Sequence, residues 1–438
     1  MLRTRFRAGF LTLCTVLLLW QIPKTLQLSP LDSAAALFGV ISLGTGILCV
    51  ALYRLWKQPP MVIGLLALLW IAAVCLTHGS LRIAYNTFGP CAYALLLCFP
   101  CGLVCDEKQR RPFLRVLIAL WTLWMTCFCA AGLYAAFTGT LLRRTSAARF
   151  IGINAGDNRL YLMDYCTNAA GNIAASILLA VIAAVMEKSR LNRALYGLCA
   201  AVMVAALSLT DARTSFIMLS AGLAMTAGCA VWHTLRAGKA ARVAAVLACG
   251  VGVTIGGYLL LSGLTNALGA WVPGSGKTAW LTTALAEDGV THRSVLGGNP
   301  LTYRTDVWRG VLALLRNEPQ VLLTGTGPQQ IMTRVMPYVV SEQPGFDHVH
   351  SIYLQMLVSY GLPGFGLMAA FLVLFIRSAW RVLFRGARAL WQRLLPVPAL
   401  AILLGETVEC LTLALVNGPI LAILFLSMGL TFGVDRSR

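Results

Sequence analysis

The chain has 438 residues, of which 58% are hydrophobic and only 12% are charged, with a formal net charge of +19. This composition excludes a soluble protein of any domain count and fits a polytopic membrane protein, in which basic residues orient the helices. The charge would suggest nucleic-acid binding in a soluble chain, but no basic motif with interleaved aromatic residues is present, so we expect no nucleic-acid partner.

The N-terminal segment resembles a signal peptide but lacks its cleavage site. Arg3, Arg5 and Arg7 precede an apolar run from Phe10 to Trp20. The residues that follow, 21–24, offer no small-residue cleavage site, so we expect an uncleaved first helix.

Eleven further apolar segments follow, each of about the 20 residues that span a membrane. They lie near 34–53, 61–76, 83–104, 114–138, 166–186, 194–209, 214–232, 243–268, 352–376, 394–416 and 420–434. Twelve spans place both termini on one side, and the short loops assigned to the cytoplasm hold most of the basic residues, as the positive-inside rule requires. The sequence therefore predicts an all-α membrane protein, with a single integral membrane domain over residues 1–438 and both termini cytoplasmic.

Two segments on the predicted outer side carry positive charge against that rule: residues 138–165 and the long loop of residues 269–350. Charge in these places needs a functional explanation. Within the long loop, residues 302–317 have a helical pattern that places Arg304 and Trp308 on one face and Arg309 roughly opposite. We expect one large extracytoplasmic loop that contains short helices.

Two patterns that suggest a cofactor are incomplete. Residues 274–278 resemble part of a phosphate-binding loop, but Trp271 occupies the place of its first glycine and no buried strand precedes it. The fourteen cysteines are scattered through apolar segments, and no histidine or carboxylate is spaced to complete a metal site with them. We therefore expect neither a cofactor nor a bound metal.

Two arginines on the predicted outer side are candidate anion ligands. Arg213 lies where the helix after Asp211 begins, and the dipole of a helix opposes a cation in its first turn but favours an anion there. Together with Arg304 it would suit a pyrophosphate, which needs charge-assisted and often bidentate hydrogen bonds. The alternatives are an Arg213 that snorkels or pairs with Asp211, and an Arg304 that is an ordinary surface charge.

His350 stands at the entry of the apolar segment 352–376. With Asp347 as N-cap, it would lie in the first turn of a helix, where the dipole favours the neutral ring. A neutral histidine beside an anion-binding arginine pair is a candidate general base for a hydroxyl group. A structural role, or His348 in its place, are the alternatives.

On such a helix, His350, Leu354, Leu357 and Gly361 would share one face. An amphiphilic molecule could lie along that face, because Gly361 and Gly364 have no side chains and permit close approach.

Glu406 and Glu409 lie inside the apolar segment 394–416, three residues apart, so they would share a helical face. Buried acids in a membrane are costly and usually functional. They could orient an arginine, or relay protons in a secondary transporter or lipid-glycan flippase, which is the alternative function. Transporters usually show paired broken helices, whereas a single break is predicted here, at residues 361–364.

Three motifs together resemble the O-antigen ligase and polymerase superfamily. His350-Ser351, nine residues and then Gly361-Leu362-Pro363-Gly364 match its histidine signature. Arg304 and Trp308, followed by residues 322–327, resemble the stretch before that histidine. Asp211-Ala212-Arg213-Thr214 resembles its Ser-Arg-Gly turn, although the usual Ser and Gly are replaced.

This resemblance implies a metal-independent, inverting glycosyltransferase with a GT-C-like fold of about twelve transmembrane helices in the bacterial cytoplasmic membrane. Such enzymes act in polysaccharide biosynthesis for the cell envelope. They move a glycan from undecaprenyl pyrophosphate to a hydroxyl group of a glycan, lipid or protein on the outer face, in contact with membrane lipid and without a cofactor.

The resemblance also implies roles for individual residues. His350 would be the catalytic base, and Arg213 and Arg304 would bind the pyrophosphate. From the sequence pattern itself, we expect His348 and Gly361 to contact the substrate, and Asp211, Glu406 and Glu409 to support the catalytic residues.

Overall fold

The structure is a computed structural model, and it describes residues 2–25, 31–78, 89–146, 149–154, 159–163, 166–236, 238–273, 302–328, 330–339, 348–386, 388–409 and 418–436. Most of these residues are helical. The helices are α1 (Leu2–Thr25), α2 (Leu31–Leu52), α3 (Pro59–His78), α4 (Gly89–Val104), α5 (Glu107–Thr138), α6 (Cys166–Met186), α7 (Arg190–Thr210), α8 (Arg213–Thr234), α9 (Lys239–Gly269), α10 (Thr302–Asn317), α11 (Val321–Thr324), α12 (Ile331–Val335), α13 (Ile352–Phe384), α14 (Leu390–Arg393), α15 (Val397–Gly405) and α16 (Gly418–Arg436). The strands are β1 (Arg143–Ser146), β2 (Arg149–Asn154) and β3 (Arg159–Leu162).

Within the described ranges, eight helices are long and apolar enough to cross a membrane: α3, α5, α6, α7, α8, α9, α13 and α16. The other four predicted spans coincide with shorter apolar stretches in α1, α2, α4 and the α14–α15 segment. A multi-pass, predominantly helical membrane protein is therefore confirmed, while the number of twelve spans and the GT-C-like arrangement stay predictions.

The chain divides into two compact units. The first contains Met1–Arg110, Leu301–Arg388 and Ile402–Arg438, and the second contains Arg111–Pro300 and Ala389–Ala401. In the first unit α13 packs against α3 and α16, and in the second α9 packs along α8, and α6 along α7. Both units contain candidate membrane spans, and the single membrane domain stays a prediction.

The predicted outer segment of residues 138–165 contains a small sheet, which the all-helical prediction did not include. Its three strands are antiparallel in the order β1-β2-β3. The rings of Phe150 and Tyr161 stack with centroids 4.9 Å apart, and Leu160 and Leu162 are buried. Apolar side chains therefore hold the sheet against the helices of the second unit, where β3 contacts α6 and α7.

The described part of the long loop packs through apolar side chains against the start of α13. The predicted loop helix is confirmed from Thr302 to Asn317. A buried cluster unites α10, the two short helices after it and α13, and consists of Val307, Val311, Leu314, Val321, Ile331, Val335, Val349 and Val358. Residues 274–301 and 340–347, which include the 274–278 motif and Asp347, lie outside the described residues.

The helix α13 is broken at Gly361, which has a φ of +65° and a ψ of −173°. Only glycine adopts such a conformation readily, because it has no Cβ. A Cβ at this position would also lie 2.8 Å from the carbonyl oxygen of Leu322 and 2.9 Å from that of Leu323. The space beside Gly361 is thus filled by protein main chain, and this packing accounts for the glycine without a lipid contact.

Neighbouring segments satisfy the carbonyl groups exposed by the break. The N–H of Thr326 donates to the Val358 carbonyl at 2.8 Å, and the N–H of Gly327 donates to the Ser359 carbonyl at 3.0 Å. The indole Nε1 of Trp70 donates to the Tyr360 carbonyl at 2.7 Å. Unpaired carbonyls are costly in a membrane, so these bonds stabilise the break and fix the glycine-rich turn of residues 325–327 on α13.

Candidate active site

The structure places His350 before α13 rather than in its first turn. The helix begins at Ile352, after Ser351 in extended conformation as the N-cap residue. His350 has a φ of +54°, a left-handed conformation that costs free energy for a residue with a Cβ. The prediction that His350 lies in the first turn is therefore wrong, and so is the continuous helical face that it would share with Gly361.

Hydrogen bonds fix the main chain around His350. The indole Nε1 of Trp308 donates to the Val349 carbonyl at 2.9 Å, and the Val349 N–H donates to Oε1 of Gln355 at 3.1 Å. The N–H of His350 itself donates to Nδ1 of His348 at 3.2 Å. A strained conformation persists only where its surroundings determine it, and these three bonds do so here.

Glu406 and Glu409 follow the end of α15 at Gly405 instead of lying inside a longer helix. The shared helical face that the sequence predicted for them is therefore wrong. The Glu406 carbonyl accepts a hydrogen bond of 3.0 Å from the N–H of Ile352, the first residue of α13. Because this bond joins the segment after α15 to the start of α13, it brings Glu409 next to the histidine turn.

The carboxylate of Glu409 contacts three of the predicted site residues. Its Oε1 atom lies 2.9 Å from Nδ1 of His350 and 3.6 Å from Nε2 of His348. Its Oε2 atom accepts a hydrogen bond of 2.8 Å from Nη2 of Arg304. The Glu409 side chain is only 4% exposed. The first unit therefore brings His348, His350, Arg304 and Glu409 together around one buried carboxylate.

The protonation of this cluster follows from its contacts. Burial alone would raise the pKa of the Glu409 carboxyl, but the hydrogen bond from His350 and the proximity of His348 and Arg304 lower that pKa to about 2. An ionised carboxylate only accepts hydrogen bonds, so Nδ1 of His350 carries a proton. In the neutral ring Nε2 is then the basic atom, which is the arrangement that a general base requires.

Arg304 and Trp308 reach the cluster from the same face of α10, one turn apart, as predicted. Arg309 is on another face, where its side chain is 80% exposed and donates to Asp306 at 3.4 Å. The prediction that Arg304 and Arg309 point in different directions is confirmed.

The cluster also has the composition of a metal site. His348, His350 and Glu409 offer ligand atoms within 4.8 Å of one another, and histidine with carboxylate is a common ligand set for zinc and iron. However, Arg304 bonds the same carboxylate, and its positive charge opposes a cation there. The Nδ1 atom of His348 also accepts the main-chain bond from His350. The geometry therefore favours a hydrogen-bonded ion-pair network over a metal centre.

Arg213 and Asp211 lie in the second unit, between α7 and α8. Arg213 is the first residue of α8, as predicted. Asp211 has a φ of +48° and forms an ion pair with Arg159 of β3, with 3.9 Å between Nη2 and Oδ2. The role of Arg213 at the pyrophosphate stays a prediction.

Gln355 is the residue of this cluster that the sequence did not single out. It is an amide in an otherwise apolar segment, and it is buried with 5% exposure. A buried amide is almost always hydrogen-bonded, so its position five residues after the histidine was the available signal.

The family comparison covers the part of the chain that carries most of these residues. Residues 175–369 match the family model described as O-antigen ligase. The match includes Arg213, Arg304, His350 and Gly361, and ends before Glu409. Neither the curated proteins nor the solved structures contain a significant match. The match confirms the resemblance of this chain to the O-antigen ligase and polymerase superfamily of membrane enzymes that transfer glycans.

Proposed function

We propose that this protein transfers a glycan from undecaprenyl pyrophosphate to a hydroxyl group on the outer face of the bacterial cytoplasmic membrane. The observation that carries the proposal is the Glu409 carboxylate between the ring of His350, at 2.9 Å, and the guanidinium of Arg304, at 2.8 Å. This contact supports the proposal, because it joins a histidine that could act as a general base to an arginine that could bind phosphate.

In the proposed reaction, Nε2 of His350 accepts the proton of the acceptor hydroxyl group. Glu409 holds the Nδ1–H and stabilises the imidazolium that forms, as a buried carboxylate does in other acid–base systems. The acceptor oxygen forms a bond to the anomeric carbon of the donor while the bond from that carbon to the pyrophosphate oxygen breaks. Attack opposite the leaving group inverts the anomeric configuration.

The leaving pyrophosphate takes the electron pair of the broken bond, so negative charge grows on its oxygens. Arg304 stabilises that charge, because a guanidinium never deprotonates and has five N–H donors, enough for a carboxylate and a phosphate together. Arg213, at the N-terminus of α8, is the second proposed pyrophosphate ligand. With these cations and a good leaving group, the reaction needs neither ATP nor a metal ion.

The rival function, a proton-coupled transporter or flippase, would use Glu406 and Glu409 as a relay. A relay group must gain and lose a proton in the physiological pH range. The contacts with His350 and Arg304 lower the pKa of the Glu409 carboxyl and so favour its ionised form. This favours a structural and electrostatic role in glycan transfer over proton transport.

The proposal is tested by separating the glycans of cells that carry His350→Ala or Arg304→Ala, together with an assay for lipid-linked precursor. The exposed Arg309→Ala on the same helix is the matched control. We expect both site variants to lose the transferred glycan and accumulate precursor, while Arg309→Ala resembles wild type. If the site variants lose the ladder of glycan polymers, the protein is a polymerase. If the ladder still forms but is not joined to its final acceptor, the protein is a ligase. Unchanged glycans would refute the proposal.

A further inference from the structure

Residues 138–165 carry positive charge on the predicted outer side of the membrane, where the positive-inside rule disfavours it. They contain four arginines and two aspartates. The fourth arginine, Arg159, begins β3, which contacts α6 and α7 in the second unit. The sheet therefore brings an arginine of this segment to the α7–α8 turn, which carries Arg213.

The guanidinium of Arg159 joins three segments of the second unit. Its Nη2 atom lies 3.9 Å from Oδ2 of Asp211, and its Nη1 atom donates to Sγ of Cys166, the first residue of α6, at 3.6 Å. The side chains of Arg159 and Asp211 are only 16% and 21% exposed. An ion pair with so little solvent contact is screened less than one on an open surface.

Asp211 sets the direction in which the chain enters α8. It is the C-cap residue of α7, with a left-handed φ of +48° and ψ of +35°. The next residue, Ala212, is the N-cap of α8 and has no side chain with which to cap it. The main-chain position of Arg213 therefore depends on the conformation of Asp211, which the contact with Arg159 helps to maintain.

We infer that Arg159 is a positioning residue for glycan transfer, which pairs with Asp211 and so holds the turn that presents Arg213 to the donor pyrophosphate. This inference rests on the proposed function. It also gives one of the four arginines of the predicted outer segment a function, because Arg159 would act on Arg213 through the turn.

The test compares Arg159→Ala, Arg159→Gln and Arg159→Lys in purified full-length protein, with lipid-linked glycan as donor. Loss of this pair should raise the donor KM about tenfold, the factor that corresponds to roughly 1.4 kcal/mol. Lysine, which keeps the charge, should restore most of the donor affinity. Arg159→Ala should add little to Arg213→Ala, because both changes act on the same contact with the donor.

The control is Arg115→Ala, which removes the 2.6 Å ion pair with Glu187 at the opposite end of the α6–α7 hairpin. It should leave the donor KM unchanged even if stability falls. If Arg159→Ala does not fold, Arg159→Gln provides the same comparison, since glutamine is shorter than arginine but keeps an uncharged hydrogen-bond donor. A wild-type donor KM in Arg159→Gln, or an additive loss with Arg213→Ala, would overturn the inference. If His350→Ala abolishes transfer while Arg159→Gln does not impair it, the proposed function survives and this inference fails.

Discussion

The Nδ1 atom of His350 lies 2.9 Å from the Oε1 atom of Glu409, although the two residues are 59 positions apart in the chain. The other oxygen of the same carboxylate accepts a bond from Arg304. One buried carboxylate thus selects the tautomer of the candidate base and fixes the orientation of the neighbouring guanidinium. The three side chains should therefore act as one unit.

Replacing Glu409 by glutamine keeps its shape but removes the charge that orients His350 and stabilises its protonated form. We expect kcat for glycan transfer to fall by about 10²–10⁴-fold, the usual contribution of general base catalysis. Purified protein in lipid nanodiscs with lipid-linked donor gives the rate. Glu318→Gln, which removes the ion pair with Arg334 beyond the end of α10, is the control and should retain wild-type kcat. A wild-type rate in Glu409→Gln would contradict this role.

The lowered pKa of Glu409 predicts a dependence of stability on pH. The carboxyl titrates at about 2 when folded, below its ordinary value of 4.5. The ionised carboxylate therefore contributes fully to the stability above pH 4.5, and this contribution is lost as the pH falls towards 2. Thermal unfolding in detergent should show that wild type is more stable than Glu409→Gln near neutral pH. This difference in stability should become smaller as the pH is lowered. A gap that is constant with pH would show that the charge of Glu409 does not stabilise the fold.

Gly361→Ala tests the break in α13. The added Cβ would meet a positive φ and the Leu322 carbonyl at 2.8 Å, so we expect the free energy of unfolding to fall by about 1–3 kcal/mol or more. Gly366→Ala in the same helix has open space around it and a helical backbone. That control should instead gain about 1 kcal/mol of helix stability. Equal effects of the two substitutions on thermal unfolding would refute the packing explanation.

Chelation distinguishes the two interpretations of the His348, His350 and Glu409 cluster. Because Arg304 bonds the carboxylate, we expect prolonged EDTA treatment to leave the transfer rate unchanged. The metal content of purified protein, measured by mass spectrometry, should be substoichiometric. Loss of transfer on chelation, with recovery on adding Zn²⁺, would instead identify a metal centre.

The sequence predicts the helices of this protein well, because long apolar runs decide membrane spans. The boundaries of α10 follow from its periodic apolar face and from Pro319, which ends the pattern. The break at Gly361 is indicated by its glycines and proline. In each of these cases the signal is local.

The site was less predictable because its geometry depends on tertiary contacts. The sequence predicts Asp347 as the N-cap, whereas the helix begins after Ser351, because tertiary contacts and not the local pattern decide where it starts. The approach of Glu409 to His350 depends on the end of α15 and on the bond from Ile352 to the Glu406 carbonyl. Neither has a signature in a single sequence. The strands at residues 143–162 are short and include arginines, so their alternation was too weak to predict a sheet.

The most direct test of the account is a double-mutant cycle between His350→Ala and Glu409→Gln, measured as single-turnover glycan transfer from lipid-linked donor. If Glu409 acts through His350, the double variant should be no slower than His350→Ala alone, because groups that act as a unit are strongly non-additive. Losses that multiply, as expected for independent residues, would contradict the central claim that the buried carboxylate and the histidine form one catalytic unit.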